Sequence, residues 1–249
     1  MLARRSIVNT WRQPGAWAPS VVFPLMLAAV YAAQFSKATA LPGFPEVDSF
    51  LQFILPASVL QGVAFNSGEA GSAMATDIEN GFFDRLVTSP SSRISLFVGR
   101  LAGAAVFSAG LAAVLIAAFA AFGAPVKGGL LAGAALVVIA SGLSLAIGGI
   151  TLIVALRTGS PEAAQSMFPL TFVAIFVSSA FFPTELMSGW YQSVAEVNPI
   201  TLIINPTRRM VISGFAADDF LAAMGWISVL AVGSLGFAYR AYLGRVRRG

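Results

Sequence analysis

The chain has 249 residues, 57% apolar and only 10% charged, with a net charge of +4 and a mean hydropathy of +0.81. A soluble domain carries about 25% charged residues because its surface faces water, so this composition excludes a water-covered exterior and turns the chain toward lipid. Cysteine and histidine are absent, which excludes disulfides, thiol nucleophiles, Ser-His-Asp triads and zinc catalysis.

In chain order, residues 1–18 come first. Ile7, Val8 and Trp11 form an apolar set at helical spacing, with Arg4, Arg5 and Arg12 beside it. This predicts an interfacial helix with its arginines toward phosphate headgroups; a plain positive-inside flank is the alternative. Six apolar runs follow, at residues 19–35, 50–75, 94–122, 129–156, 164–182 and 220–239. At 1.5 Å per residue, each suffices for a hydrocarbon core of about 30 Å. Helix is the expected conformation, since the runs are solidly apolar and lack the alternation of a membrane β-strand. The expected architecture is all-α: one polytopic transmembrane domain over residues 1–249, with six membrane helices. The opening arginines, an apolar stretch and Ala38-Thr39-Ala40 resemble a secretory signal, but Pro24 interrupts its apolar region. Gly99, Gly103 and Gly110 in the third run, and Gly142, Gly148 and Gly149 in the fourth, predict close helix packing there.

With a cytoplasmic N-terminus, eleven arginines fall inside, and only Lys37, Lys127, Arg208 and Arg209 fall outside. The positive-inside rule therefore predicts a multi-pass cell-membrane protein with both termini cytoplasmic. These clustered basic residues read as topology signals and not as a nucleic-acid face. Trp11, Trp17, Trp190, Tyr191, Tyr239 and Tyr242 are placed as interface anchors.

Two connecting segments differ from simple loops. Residues 76–93 are the most charged part of the chain, yet contain the apolar stripe Phe82, Phe83, Leu86 and Val87. That pattern predicts a short amphipathic helix entering a partner's groove, with Glu79 and Arg85 among its charges, Gly81 allowing a turn and Pro90 a stop. A connector helix lying on the membrane surface is the alternative. Residues 183–214, on the outer side, are too polar for a span and hold Pro183, Gly189, Asn198-Pro199 and Asn205-Pro206 as breakers. They predict short re-entrant helices, with Arg208 and Arg209 reaching outer headgroups or an acidic partner; a plain outer loop is the alternative. Within the spans, Gln61, Phe65 and Glu69 recur at i, i+4 and i+8, and Phe172 and Phe176 do likewise. Together with Asn66 they are candidate walls of a path for an amphiphilic substrate. Glu69 and Arg100 can instead snorkel near the inner ends of their spans, and the phenylalanines can be ordinary packing.

No G-x-x-x-x-G-K-[ST] phosphate loop is present, and the only lysines are Lys37 and Lys127. Nucleotide chemistry of the P-loop kind therefore belongs to another chain, which would bind the ATP and Mg; this chain itself is expected to hold no cofactor or metal and to catalyse nothing.

The segment DIENGFFDRLVTSPSSRISLFVGR, with Glu79, Gly81, Leu86, Ser89, Pro90, Gly99 and Arg100, resembles the cytoplasmic loop of ABC-2-type exporter permeases, especially those like the daunorubicin-resistance permease. FFPTELMSGWYQSVAEVNPITLIINPTRRM is similar to that family's outer segment, with Pro183, Asn198, Pro199 and Arg208 or Arg209 in place, and WRQPGAW followed by Pro24 to its opening. Asn80 and Phe82-Phe83 depart from the more polar residues often found in that loop. The resemblance implies a six-helix subunit paired with a second permease copy or relative and with two cytoplasmic ABC ATPase chains. It further implies a coupling helix at about residues 79–89 and a substrate path between spans one, two and five. Exported substrates of such permeases are drugs, lipids, and glycolipid or polysaccharide precursors. Two other classes stand beside it: an ion-coupled secondary transporter using Glu69, and a membrane scaffold that transports nothing.

Overall fold

The computed structural model describes residues 14–82 and 93–246. Helix α1 is Pro14–Gln34, followed by a 3-10 turn at Ser36–Ala40; α2 is Phe50–Asn66 and α3 Gly68–Glu79. Helix α4 is Arg93–Ala121, α5 Gly129–Thr158, α6 Pro161–Gln165 and α7 Met167–Phe176. A second 3-10 turn, Thr184–Leu186, precedes α8 (Gly189–Val197), α9 (Pro199–Ser213) and α10 (Ala217–Val246). No strand occurs among the described residues.

Five stretches are long and apolar enough to cross a membrane: Trp17–Gln34, Phe50–Glu79, Leu101–Ala121, Gly129–Thr158 and Ala217–Val246. The run at 164–182 differs. It forms α6 and α7 with Ser166 between them, then turns at residues 177–180. Ser160 starts α6 by accepting the Ala163 N–H at 3.1 Å, and Pro161 occupies the first helical turn, where no N–H is needed. Residues 14–18 already belong to α1. Residues 1–13, and with them most of the expected interfacial helix, lie outside the described residues, as do Phe83, Arg85, Leu86 and Pro90 of the expected coupling segment.

Helix α5 is the axis of the bundle, packing against α10, α3, α4, α2 and α6. Small residues allow this. A Cβ at Gly142 would lie 2.7 Å from Ile227, one at Gly149 2.5 Å from Ser234 Oγ, and one at Gly71 2.6 Å from Thr151 Cβ. The expected close packing thus holds for α5, against α10 and α3. Gly99 of α4 meets nothing within 4 Å; α4 is joined to α5 instead by a buried hydroxyl pair, Ser108–Ser144, at 2.7 Å. Helix α1 packs on α2 where Pro24, lacking an N–H, leaves the Ser20 carbonyl without its intrahelical donor. A Cβ at Gly62 would sit 2.6 Å from that oxygen, so only glycine lets α2 approach there.

The buried apolar residues fall into two clusters. The larger holds Phe53, Leu60, Leu115, Leu136, Ile139 and Ile203, among others. The smaller gathers Met74, Ala75, Leu152, Ala155, Leu156, Ala238 and Tyr242 around α3 and the last turns of α5 and α10. Along span two, the boundary is Ser67. Its N–H is shared between Val63 and Ala64, and its hydroxyl donates to Val63 O at 2.7 Å, which ends α2 one residue before α3 begins.

Candidate functional site

At this break lies a half-open cavity of about 420 Å³. Ser20 of α1, Phe65, Asn66, Glu69 and Ser72 of α2 and α3, and Gln165, Ser166 and Phe168 around the α6–α7 junction line it. Both helix interruptions, at Ser67 and Ser166, therefore border the same space. Gln165 Nε2 also donates to Ser72 Oγ at 3.2 Å, tying α6 to α3 across its edge.

From the cavity an aromatic wall runs along α1, α2 and α7. Phe65 meets Phe168 at 4.8 Å and lies nearly parallel to Phe172 at 5.9 Å; Phe172 stacks on Phe176 at 4.2 Å. Phe23 adds a ring from α1, and the series continues through Phe181 and Tyr31. Such offset and tilted contacts are the preferred geometries of rings carrying a quadrupole. The structure thus brings together five of the six residues expected in a path: Phe65, Asn66, Glu69, Phe172 and Phe176. Gln61 is the exception. It is buried in α2 with neither amide atom hydrogen-bonded among the described residues, and it does not line the cavity. Phe168 was legible, standing four residues before Phe172 in the same register; Phe23, Ser20 and Gln165 come from other elements, and no local pattern marks them.

Where α7 stops, the segment after residue 182 acts as a clamp. A helix end leaves carbonyls unpaired, and burying them without donors costs free energy. Asn198 Nδ2 donates to Ala174 O and Val177 O, both at 2.8 Å, while its Oδ1 accepts the Ile200 N–H and so starts α9. The Tyr191 hydroxyl donates to Phe176 O at 2.5 Å. Burial, with Tyr31 adding to it, pushes this phenol above its usual range, which keeps it a donor. Pro199 takes the first position of α9, where a missing N–H does no harm. Asn198→Ala is expected to fray the end of α7 and to expose Phe176 to cleavage by limited chymotryptic digestion; Asn198→Asp, which retains the cap but not the two donations, fails similarly.

Arg208 corrects the expectation that it reaches outward. It is 5% exposed and lies over the Phe53 ring, 3.8 Å from its centroid. Its guanidinium donates to Phe53 O at 3.1 Å, Asn205 Oδ1 at 3.3 Å, Ser179 O at 2.7 Å and Ala180 O at 3.1 Å. One planar cation therefore binds α2, the turn after α7, and α9. Its neighbour Arg209, about 100° around the helix, is exposed and pairs with Asp219 at 2.6 Å. Asn205-Pro206 is likewise not a break: Pro206 lies inside α9, and Asn205 Oδ1 also accepts the Ser179 hydroxyl at 2.6 Å.

At the other end of the bundle, α3 closes at Glu79, and Gly81 turns the chain with φ +66°. Glu79 and Phe82 are exposed there. Nearby, Gly159 ends α5 in the left-handed conformation, and Arg245 Nη1 donates to Leu156 O at 3.0 Å.

Among the described residues, an all-helical bundle with five stretches long and apolar enough to cross a membrane has the make-up of a membrane-embedded domain. The chain belongs to the ABC-2 type transporter family, which residues 1–211 match. It is 28% identical over 195 residues to a daunorubicin resistance ABC transporter permease protein of Streptomyces coeruleorubidus, a match that takes in 77% of this chain and 65% of that protein. The matched region thus spans just under two thirds of that relative's length. It is also 28% identical over 213 residues to a protein named as a transport permease, ycf38, of Cyanophora paradoxa, covering 84% of this chain and 72% of that one.

Proposed function

We propose that this chain is the transmembrane subunit of an ATP-driven exporter that moves an amphiphilic drug, lipid, or glycolipid or polysaccharide precursor out of the cytoplasm or inner leaflet. The observation that carries it is the cavity bordered by both helix breaks, with Glu69 and Asn66 at its polar end and the Phe65–Phe172–Phe176 stack leading away. A path for an amphiphile needs both kinds of wall. The resistance function in the name of the Streptomyces relative fits a drug-like substrate.

In this reading the end with Glu79 and Phe82 is cytoplasmic, both termini lie there, and α6 with α7 makes a sixth passage. Helices α8 and α9 sit in the outer leaflet, where the exposed Trp190, Val194 and Val197 meet lipid. A second permease subunit, a copy or a relative, covers the exposed apolar residues Val22, Met26 and Val30 of α1 and Leu170 and Val173 of α7, which flank the path. A cytoplasmic ABC ATPase, binding ATP and Mg, docks on residues 79–90. Closure of the ATPase pushes on α3, and α3 carries the smaller cluster with it. Ser67 lets that movement change the cavity without unravelling α2. Partner binding that differs between the two states shifts their populations. Ion coupling through Glu69 is not favoured, since this family's transport is of the ABC type.

The test is capture of the tagged chain from detergent-solubilised native membrane. A P-loop ATPase is expected to co-purify. Phe82→Asp, at an exposed position beyond the folded clusters, should abolish that co-purification and substrate-stimulated hydrolysis while leaving membrane insertion intact; Phe83→Asp or Leu86→Asp should do the same. Variants that still co-purify and hydrolyse normally overturn the docking site.

A further inference from the structure

Helix α2 carries two buried glutamines, each 1% exposed, and the fold treats them oppositely. Gln52 is satisfied at both ends of its amide: Oε1 accepts the Asp48 N–H at 3.0 Å, and Nε2 donates to Pro125 O at 3.4 Å. Gln61 has no hydrogen-bond partner for either amide atom among the described residues. A buried amide without partners gives up its hydration for nothing, so it destabilises the conformation that buries it. We infer that Gln61 biases the chain toward a second conformation, in which the end of α7 near Ser166 moves off α2 and the cavity extends one helical turn to the Gln61 amide. As a device of transport this rests on reading the cavity as the substrate path; the bias itself does not.

The cavity stops one turn short of that amide. Gln61, Ala64, Phe65 and Gly68 stand at i, i+3, i+4 and i+7, which places them on one face of span two. Ser67, between them, keeps helical angles (φ −65°, ψ −19°), so the face continues across the break. Phe65 and Gly68 line the cavity, whereas Gln61 and Ala64 are buried beyond it. Phe65 is therefore the boundary, and α7 closes it, since the Phe65 ring meets Phe168 and Phe172. No hydrogen bond joins α2 to α7 among the described residues; the polar ties of α7 run from its other end to Tyr191 and Asn198. The helix begins at the Ser166 break, and Ile175 is its only buried residue. Separating rings strands no donor or acceptor, so this seam opens at lower cost than one crossed by hydrogen bonds. Opening it brings water, or the polar atoms of a substrate, to an amide that can both donate and accept.

The experiment uses the full chain in nanodiscs and two substitutions that keep side-chain length while removing the amide. Gln52→Met should lower the melting midpoint, because the Asp48 N–H and Pro125 O lose their partner. Gln61→Met should instead raise it, by about 2 °C or more. The chain has no cysteine, so Ala64→Cys supplies a single thiol on the buried part of the face. Its reaction with N-ethylmaleimide reports the second conformation, because the thiolate that reacts needs water around it. Gln61→Met should slow that reaction about fivefold or more. A thiol introduced by Ala140→Cys, fully buried on α5, should react at the same rate with either residue at position 61. A lower midpoint for Gln61→Met means that the described fold satisfies the amide, and overturns the inference. A higher midpoint with unchanged labelling at position 64 overturns the second conformation. If both expected results hold in a chain that moves no substrate with its captured ATPase, the export reading falls and the bias stands.

Discussion

Replacing Arg208 with methionine is expected to lower the melting temperature of the purified chain by about 10 °C or more. Methionine has nearly the same length but donates nothing. The substitution leaves Phe53 O, Ser179 O and Ala180 O without the donor they share, and removes the charge over the Phe53 ring. Hydrogen bonds to a charged group contribute about 1.5–3 kcal/mol each, and buried acceptors left unpaired cost about 1–3 kcal/mol. Even at the low end, three lost partners exceed a typical point substitution. Arg208→Lys should recover little, because one ammonium cannot match a planar fork directed at acceptors on three elements. Arg209→Met, which removes only the exposed pair with Asp219, should shift the midpoint by no more than about 2–4 °C. Thermal unfolding in one detergent or nanodisc lipid compares all three. Equal effects at the two arginines would refute the clamp.

Gly71→Val is expected to abolish transport while only modestly changing stability. A Cβ at Gly71 would lie 2.6–2.7 Å from the Cβ, carbonyl carbon and carbonyl oxygen of Thr151. Two of these are backbone atoms of α5 and cannot swing aside, so α3 must move off α5. Overpacking of this kind costs about 1–3 kcal/mol. The functional loss is larger because α3 is the element linking residues 79–82 to Glu69 and Ser72 in the cavity. Gly133→Ala, with nothing within 4 Å of its added carbon, serves as the control and should transport normally. Substrate uptake into vesicles measures the first effect, and thermal unfolding the second.

Much of this bundle is written in local apolar runs. The third run, expected at 94–122, forms a helix at Arg93–Ala121, and the fourth, expected at 129–156, forms one at Gly129–Thr158. Continuous apolar composition in a medium without water leaves the backbone little alternative. The break at Ser67 was hidden for the same reason: helical residues continue on both sides, and one shared N–H decides where α2 ends. The fifth run reads as one helix because hydropathy does not register that Asn198, Tyr191 and Arg208, up to 29 residues away, supply donors to carbonyls at 174–180 and allow α7 to stop. Adjacent arginines look alike in sequence, and only the packing of α9 against α2 turns Arg208 in and Arg209 out. The path residues were legible where they repeat at i, i+4 on one helix, as Phe172 and Phe176 do. Gln61 follows the same spacing yet is buried away from the cavity lining, since a shared stripe does not say which of its members meets the cavity.

The central claim, a permease driven by ATP hydrolysed on a separate chain, is tested most directly by transport in proteoliposomes. The vesicles would contain this chain together with the P-loop ATPase it captures, with the ATPase facing outward, and would be offered a fluorescent amphiphile. The account predicts uptake that requires ATP, Mg and both proteins, and that persists when ionophores dissipate the ion gradients. Uptake by this chain alone that survives ATP depletion and collapses with the proton gradient would contradict it.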